Sequence, residues 1–401
     1  MHVLATKSDR LEGNPAGRAA PLIDSDAGGE LQRPAMKHVA VVQPNLTQYR
    51  LPVFLELSQH CRVDLLFSQV SSELGFGDVR YPQSPNVRYF EVETLKPFGD
   101  KIAMIQLGLT GYLFRERPDA VMIFANPRYV TFWTTLLFGR MLGIKVFAHG
   151  HGLYKWERIN LFYRLMVKVM LGLVTSYIAY APYVRQSFAV HGFSDKKVSV
   201  APNSLQLSAV VRPAEKSGTE RGILFVGRLR KDSNLELLLR AAARLRHEDD
   251  IPVTVEVAGT GECASQLHRE FGAHSWIHWY GEVYDPEEIR QISLKCFVGC
   301  YPGDAGLSVL HMMALSLPVI THDQLSRHKG PEPSFIQHGV NGILYDRTAA
   351  EDSIFRALSS LAGHATRLSD MQRAAFARYQ GLVNPSLASH LWAIIGAESA
   401  A

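Results

Sequence analysis

Short apolar runs alternate with longer amphipathic stretches along most of the chain. The runs Val39–Val42, Val63–Phe67, Val87–Val92, Ala120–Phe124, Lys145–Ala148 and Tyr177–Ala179 have the length and dense hydrophobicity of buried strands. Helical spacing lies between them, for example over Pro52–Gln59 and Ile102–Glu116. The alternation pauses at Ala201-Pro202-Asn203-Ser204 and a polar stretch ending near Arg221. It resumes with Gly222–Val226, Val253–Ala258, Ile277–Tyr280, Phe297–Cys300, Pro318–Thr321 and Gly342–Tyr345. Strands alternating with helices predict parallel sheets covered on both faces. Two such series predict an α/β protein of two doubly wound, Rossmann-like domains, 37–205 and 206–384. Ligands are then expected in the cleft at the strand carboxyl ends.

Residues 1–36 are rich in Ala, Gly, Pro, Asp and Ser without sustained periodicity. They predict a disordered tail, with Met36 near the natural start. Within Glu157–Leu173, the polar residues Glu157, Asn160, Arg164 and Lys168 share one face of an otherwise apolar helical pattern. Two readings stay open: a core helix, or an interfacial helix with Arg164 and Lys168 near anionic headgroups.

With 401 residues, the chain has room for a core in each domain. Charge changes the picture more than composition does. Residues 37–205 hold 19 Lys+Arg against 11 Asp+Glu, a balance of +8, whereas 206–384 hold 19 against 21, or −2. A basic first half suits an anionic partner, and with no nucleic-acid motif present, phosphate or membrane ranks first. Four cysteines, no apolar leader and no run of about 18 apolar residues point to the cytoplasm, including the inner face of the membrane. Cys296 and Cys300 lie in an apolar run without a matching Cys/His pair, so no metal site is expected.

Chemistry concentrates at two strand ends of the second half. Tyr301-Pro302-Gly303-Asp304-Ala305-Gly306-Leu307-Ser308 leads from a buried strand into a helix expected to start at Gly306. Glycines admit a ligand to the backbone, and helix-terminal amides attract an anion such as a phosphate. Gly227-Arg228 ends another strand, and Ser233-x-x-Glu236 has the form of a capping box opening the next helix. Arg228 would then project into the cleft, where a guanidinium suits bidentate binding of a diphosphate.

These segments, in order, resemble the retaining glycosyltransferases of family 4. The resemblance rests on Phe225-Val226-Gly227-Arg228-Leu229, Val257-Ala258-Gly259-Thr260-Gly261-Glu262, Tyr280-Gly281-Glu282-Val283, Gly303–Ala314, Leu317-Pro318-Val319-Ile320 and Gly339-Val340-Asn341-Gly342, after Pro202-Asn203-Ser204. It implies the GT-B fold, with the acceptor on the first domain and a nucleotide-sugar on the second. It also implies a last helix, within 385–401, crossing back to the first domain. No cofactor is implied, since the nucleotide-sugar is a substrate. The acceptor is expected to be anionic, a polyprenyl-diphosphate-linked saccharide of bacterial surface polysaccharide by analogy. The first domain is the candidate for peripheral membrane contact.

The chain departs from the family at its paired glutamates, which have seven residues between them and become Gly303 and His311. It is closer to a subset with a Gly-Asp-x-Gly-Leu…His form. His311 is the candidate for the ribose and Asp304 for the replaced first carboxylate. Ser233 stands where relatives carry a phosphate-binding lysine, leaving Lys231 or Arg228 alone for that task. The donor set is completed by Gly303, Gly306, Leu307, Ser308 and Glu332. His149 and His151, in His149-Gly150-His151-Gly152, are candidates to touch sugar or acceptor, and Pro44–Arg50 to line the acceptor side. The implied chemistry is front-face transfer that retains configuration, with leaving-group charge on Arg228 and the loop amides. The rivals are a nucleotide-sugar 2-epimerase and an inactive homologue serving as a partner subunit.

Overall fold

The computed structural model describes residues 36–68, 81–97 and 103–398, and the tail expectation lies outside them. The first half supplies strands β1 (His38–Asn45), β2 (Arg62–Ser68), β3 (Val87–Glu91), β4 (Thr94–Leu95), β5 (Ile105–Gln106), β6 (Ala120–Phe124), β7 (Lys145–Gly150), β8 (Ser176–Ala179) and β9 (Val198–Val200). Its helices are α1 (Leu51–Leu57), α2 (Leu109–Glu116), α3 (Val130–Met141), α4 (Leu161–Leu173) and α5 (Pro182–Val190). Seven of these strands form a parallel sheet in the order β3-β2-β1-β6-β7-β8-β9, while β4 and β5 make a small antiparallel pair.

The second half supplies β10 (Gly222–Val226), β11 (Thr254–Ala258), β12 (Ile277–Gly281), β13 (Cys296–Cys300), β14 (Val319–His322) and β15 (Gly342–Tyr345). They form a second parallel sheet, ordered β12-β11-β10-β13-β14-β15. Its helices are α6 (Leu235–Glu248), α7 (Ala264–Phe271), α8 (Pro286–Ser293), α9 (Ser308–Ala314), α10 (Ala350–Ala362) and α11 (Ala365–Val383). Strand direction of the crossovers reverses between β1 and β6 and between β10 and β13. The loops that leave these four strands therefore border the crevices where doubly wound sheets take ligands.

The last helix, α12 (Leu387–Glu398), packs on α1 and the first sheet, burying Leu387, Ala388, Leu391 and Ile395. Lys37 Nζ donates to the Gly396 carbonyl at 3.1 Å, and His60 stacks on Trp392 at 5.7 Å. From the other side, Leu310 of α9, Phe335 and Leu382 join the apolar cluster of the first sheet. Asp64 is fully buried at the start of that sheet. Burial alone would raise its pKa, but bonds from His38, Arg88 and Tyr112 hold it well below the carboxylate range.

Three local expectations are corrected. The helix expected over Ile102–Glu116 covers only Leu109–Glu116: Ile105–Gln106 is a two-residue strand paired with Thr94–Leu95, and Gly108, at φ 79°, breaks the chain before α2 begins. The Glu157–Leu173 helix starts at Leu161, with Asn160 as a true cap accepting from the Tyr163 amide at 2.8 Å, so Glu157 precedes it. It is not a core helix either. Only Val167 and Met170 are buried, while Leu161, Phe162, Leu165 and Val169 are exposed.

Candidate functional site

The loop after β10 meets those after β11 and β13 because glycines let their backbones touch. A Cβ on Gly259 would fall 1.8 Å from the Gly227 carbonyl oxygen, and one on Gly303 would fall 1.9 Å from that of Asp232. Gly227 lies against the Tyr301 ring and Ser308 Oγ, at 2.8 and 3.4 Å from where a Cβ would stand. Arg228, the next residue, is half-buried beside the start of α9. Lys231 is exposed, its amide 3.4 Å from Glu262 Oε1.

Ser233 is not a cap. Its hydroxyl donates back to the Arg230 carbonyl at 2.6 Å, and Asn234, in the left-handed region at φ 49°, precedes α6. The reason is visible in the partner loop: the Ser233 carbonyl accepts the Gly303 amide at 3.0 Å, and Asp232 accepts that of Asp304 at 2.9 Å. Those two amides are thereby used within the protein. The Ala305 amide goes to His328 Nδ1 at 3.0 Å. The amides of Gly306, Leu307 and Ser308 carry no hydrogen bond among the described residues.

Helix α9 begins at Ser308, two residues later than the glycine pattern predicts, and runs for only 7 residues. Its dipole is correspondingly modest. Ser308 and His311 are its only residues that are not buried; Leu315, four residues beyond His311, is fully buried. Desolvation lowers the His311 pKa to about 4, so the imidazole is neutral at pH 7 and suited to hydroxyl groups.

Asp304 is already engaged: His322 Nε2 donates to its Oδ1 at 3.2 Å, and Arg347 Nη1 lies 3.5 Å away. His322 stacks on His328 at 3.8 Å, and His328 donates from Nε2 to the His322 carbonyl at 3.0 Å. The group without full satisfaction is Glu332. Its side chain is 1% exposed, Oε1 accepts from Asn203 Nδ2, and Oε2 has no partner among the described residues. Burial pushes its pKa up, opposed by the bond from Asn203 and by Arg50 and Lys155. Gly330 and Gly306 border that free oxygen; a Cβ on Gly306 would lie 3.8 Å from it.

Asn203 in turn accepts from Arg50 Nη2, so Arg50, Asn203 and Glu332 form one chain between the first sheet's loops and the second sheet's. Lys155 adds a second tie, donating to the Lys329 carbonyl at 3.0 Å. On the first-sheet side His149 and His151 flank Tyr180, with ring centroids 4.3 and 5.0 Å away. His149 Nε2, His151 Nδ1 and the Tyr154 hydroxyl are buried without partners among the described residues. Burial, together with Arg50 and, for His151, Lys155, lowers both imidazoles, His151 to about 4. Unpaired buried polar atoms around one cleft mark a place built for a polar ligand. The sequence singled out the histidines, Arg228 and Glu332. It named Arg50 and Asn203 only as members of longer segments, and it did not single out Tyr180 or Lys155; the part all four play depends on contacts across the cleft. Among the described residues no cluster of metal-ligating side chains occurs.

This architecture is that of the GT-B glycosyltransferases. HepE of Anabaena, solved with UDP and glucose, aligns over 91% of this chain and 100% of its own, with a TM-score of 0.63 and 14% identity. The pneumococcal O-GlcNAc transferase GtfA, with UDP and GlcNAc, aligns over 90% of this chain and 99% of its own, at TM-score 0.64 and 11% identity. The lipopolysaccharide outer core galactosyltransferase WaaB, in its apo form, aligns over 86% of this chain and 99% of its own, at 0.58 and 15%. Residues 220–364, the part carrying Arg228, the glycine loop and Glu332, match the family "Glycosyl transferases group 1". No curated protein sequence matches the chain.

Glu332 gives a prediction with a definite sign. Its raised pKa means that the folded state binds the proton more tightly than the unfolded chain, so its contribution to stability falls as pH rises above the unfolded value of about 4.3. Glu332→Gln should therefore melt higher than the wild type at pH 8 and close to it at pH 4.5, in thermal unfolding followed by circular dichroism. A gap that shrinks with rising pH would show that the carboxyl is not held in this way.

Proposed function

We propose that the chain is a retaining glycosyltransferase that moves a sugar from a UDP-sugar to the hydroxyl of an anionic, lipid-linked acceptor. The observation that carries it is the half-satisfied Glu332 beside Gly306, where three loop amides carry no bond among the described residues and the strand-end Gly227 meets Ser308. The UDP complexes of HepE and GtfA and the group 1 match of 220–364 support the donor class. The motif order shared with family 4 supports retention of configuration.

In this reading the half built on the second sheet, 206–384, holds the nucleotide, and 37–205 holds the acceptor. Arg228 and the Gly306–Ser308 amides face the diphosphate, stabilising charge as it develops on the leaving group. His311, one turn further along α9, reaches the ribose diol. Glu332, rather than the already paired Asp304, faces the transferred sugar, its free oxygen accepting from a hydroxyl. The bond from the anomeric carbon to the diphosphate oxygen breaks as the acceptor oxygen attacks from the same face. The departing phosphate oxygen takes the acceptor's proton, and the neutral His149 and His151 orient hydroxyls. The exposed Leu161, Phe162, Leu165 and Val169 around Lys168 support a peripheral contact with anionic membrane. Among the described residues no helix is long and apolar enough to cross a membrane.

Incubation with UDP-sugars should release UDP only when a lipid-linked acceptor is added, and faster when that acceptor sits in anionic vesicles. Release without acceptor, or interconversion of the sugar epimers, would favour the rival readings. Arg228→Ala should weaken UDP binding roughly ten- to hundredfold by calorimetry, the effect of losing a charge-assisted contact of about 1.5–3 kcal/mol. An unchanged dissociation constant would remove Arg228 from the donor site.

A further inference from the structure

Between α3, α4 and the ends of β6 and β7 lies an apolar cavity of about 420 Å³, with no role in the donor chemistry. Its inner end is Gly152 and Ala125, next in sequence to His151 and Phe124, whose rings meet at 6.4 Å. The Tyr177 hydroxyl, accepting from the Gly152 amide at 2.7 Å, closes the floor. The walls are Trp133, Trp156, Met166 and Val167. Pro127, Arg128, Trp133, Tyr163 and Met166 continue into a second hollow of about 490 Å³, bordered by the outward-facing Phe162, Leu165 and Val169. An apolar track thus runs from beside His151 to the exposed face of α4.

The charged groups at its mouth carry one sign. Arg128 is the one charged side chain that lines either hollow, and α4 carries Arg164 and Lys168 without an acidic residue. Arg128 borders both hollows and is exposed. A cavity of this size is in the range that encloses an organic ligand, and an apolar lining with a cationic rim fits a hydrocarbon chain ending in an anion. Purely polar saccharides would leave the tryptophan and methionine walls uncovered, and a free phosphate would not fill the space.

We propose that this cavity binds the hydrocarbon chain of the acceptor, with the phosphate that links chain to saccharide held at the Arg128 rim. The inference rests on the transferase reading and specifies its acceptor. It places the lipid end of the acceptor on the α4 side and the reacting hydroxyl on the His151 side. The occupant is one amphiphilic molecule, not a bilayer surface as such.

Trp133 and Trp156 make the site readable without turnover. Octyl, dodecyl and hexadecyl phosphate, titrated below their micelle concentrations, should shift tryptophan emission saturably. Affinity should rise roughly three- to fourfold per added methylene and then level off once the chain outgrows the track. Inorganic phosphate should produce no shift, and dodecyl maltoside should bind at least tenfold more weakly than dodecyl phosphate. Val167→Phe, which fills the cavity, should weaken dodecyl phosphate at least tenfold while UDP affinity by calorimetry stays unchanged. Met166→Phe, on the same wall, provides the same comparison if Val167→Phe does not fold. An unsaturable shift, equal binding of the maltoside, or unaltered affinity in the filled variant would overturn the assignment. UDP binding that persists in those cases would leave the transferase reading standing; its loss in the wild type would remove that reading separately.

Discussion

A buried carboxyl left half-satisfied is the constraint around which the cleft is organised. Glu332 is removed from water, yet only one of its oxygens is bonded among the described residues. Burying such a group is unfavourable unless something compensates it. Part of the compensation comes from Asn203, which belongs to the end of the first-sheet half and is itself held by Arg50. The same contacts that make Glu332 tolerable therefore tie the loops of the two sheets together. Lys155 bonded to the Lys329 carbonyl adds to the tie, and α12 packed on α1 adds a separate one at a distance from the cleft. In the proposed reading a sugar hydroxyl bonds the second oxygen, a contact that folding alone does not supply.

Backbone contact, not side-chain reach, shapes the anion side of the cleft. Gly227, Gly259 and Gly303 occupy positions where a Cβ would strike a neighbouring main chain or ring. Their absence of side chain brings the loop after β10 onto the loops after β11 and β13 and sets Gly227, the residue before Arg228, against Ser308. Gly303 and Asp304 use their amides to bond this neighbouring loop. Ala305 bonds His328, and the amides from Gly306 to Ser308 carry no bond among the described residues. One segment thus divides its donors between those that hold the fold and those the proposed reading assigns to the ligand.

Much of the architecture was legible because parallel strands, buried on both faces, appear as unbroken apolar runs. Ala120–Phe124 and Gly342–Tyr345 have the limits the apolar pattern predicts. Val198–Val200 and the β4–β5 pair escaped notice because strands of two or three half-exposed residues leave no pattern. Apolar spacing around Leu107 and Leu109 mimicked a helix through β5, and only Gly108 signals the break. The α4 helix shows another limit: hydrophobic content does not say which face meets protein, and here an apolar face meets none. At the site, glycines and the strand-end arginine were readable locally. The Arg50–Asn203–Glu332 chain was not, since its bonds join residues 153 and 129 positions apart. Asp304 looked free in sequence, and Ser233 looked like a helix cap, because their partners, His322 and the Gly303 loop, are brought in by the fold.

The most direct measurement is a crystal structure of the protein with an unreactive UDP-sugar. The account predicts the diphosphate against Arg228 and the Gly306–Ser308 amides, a ribose hydroxyl on His311, and a sugar hydroxyl on the free oxygen of Glu332. A nucleotide seated on the loops of the first sheet, or a sugar that leaves Glu332 without a partner, would contradict it.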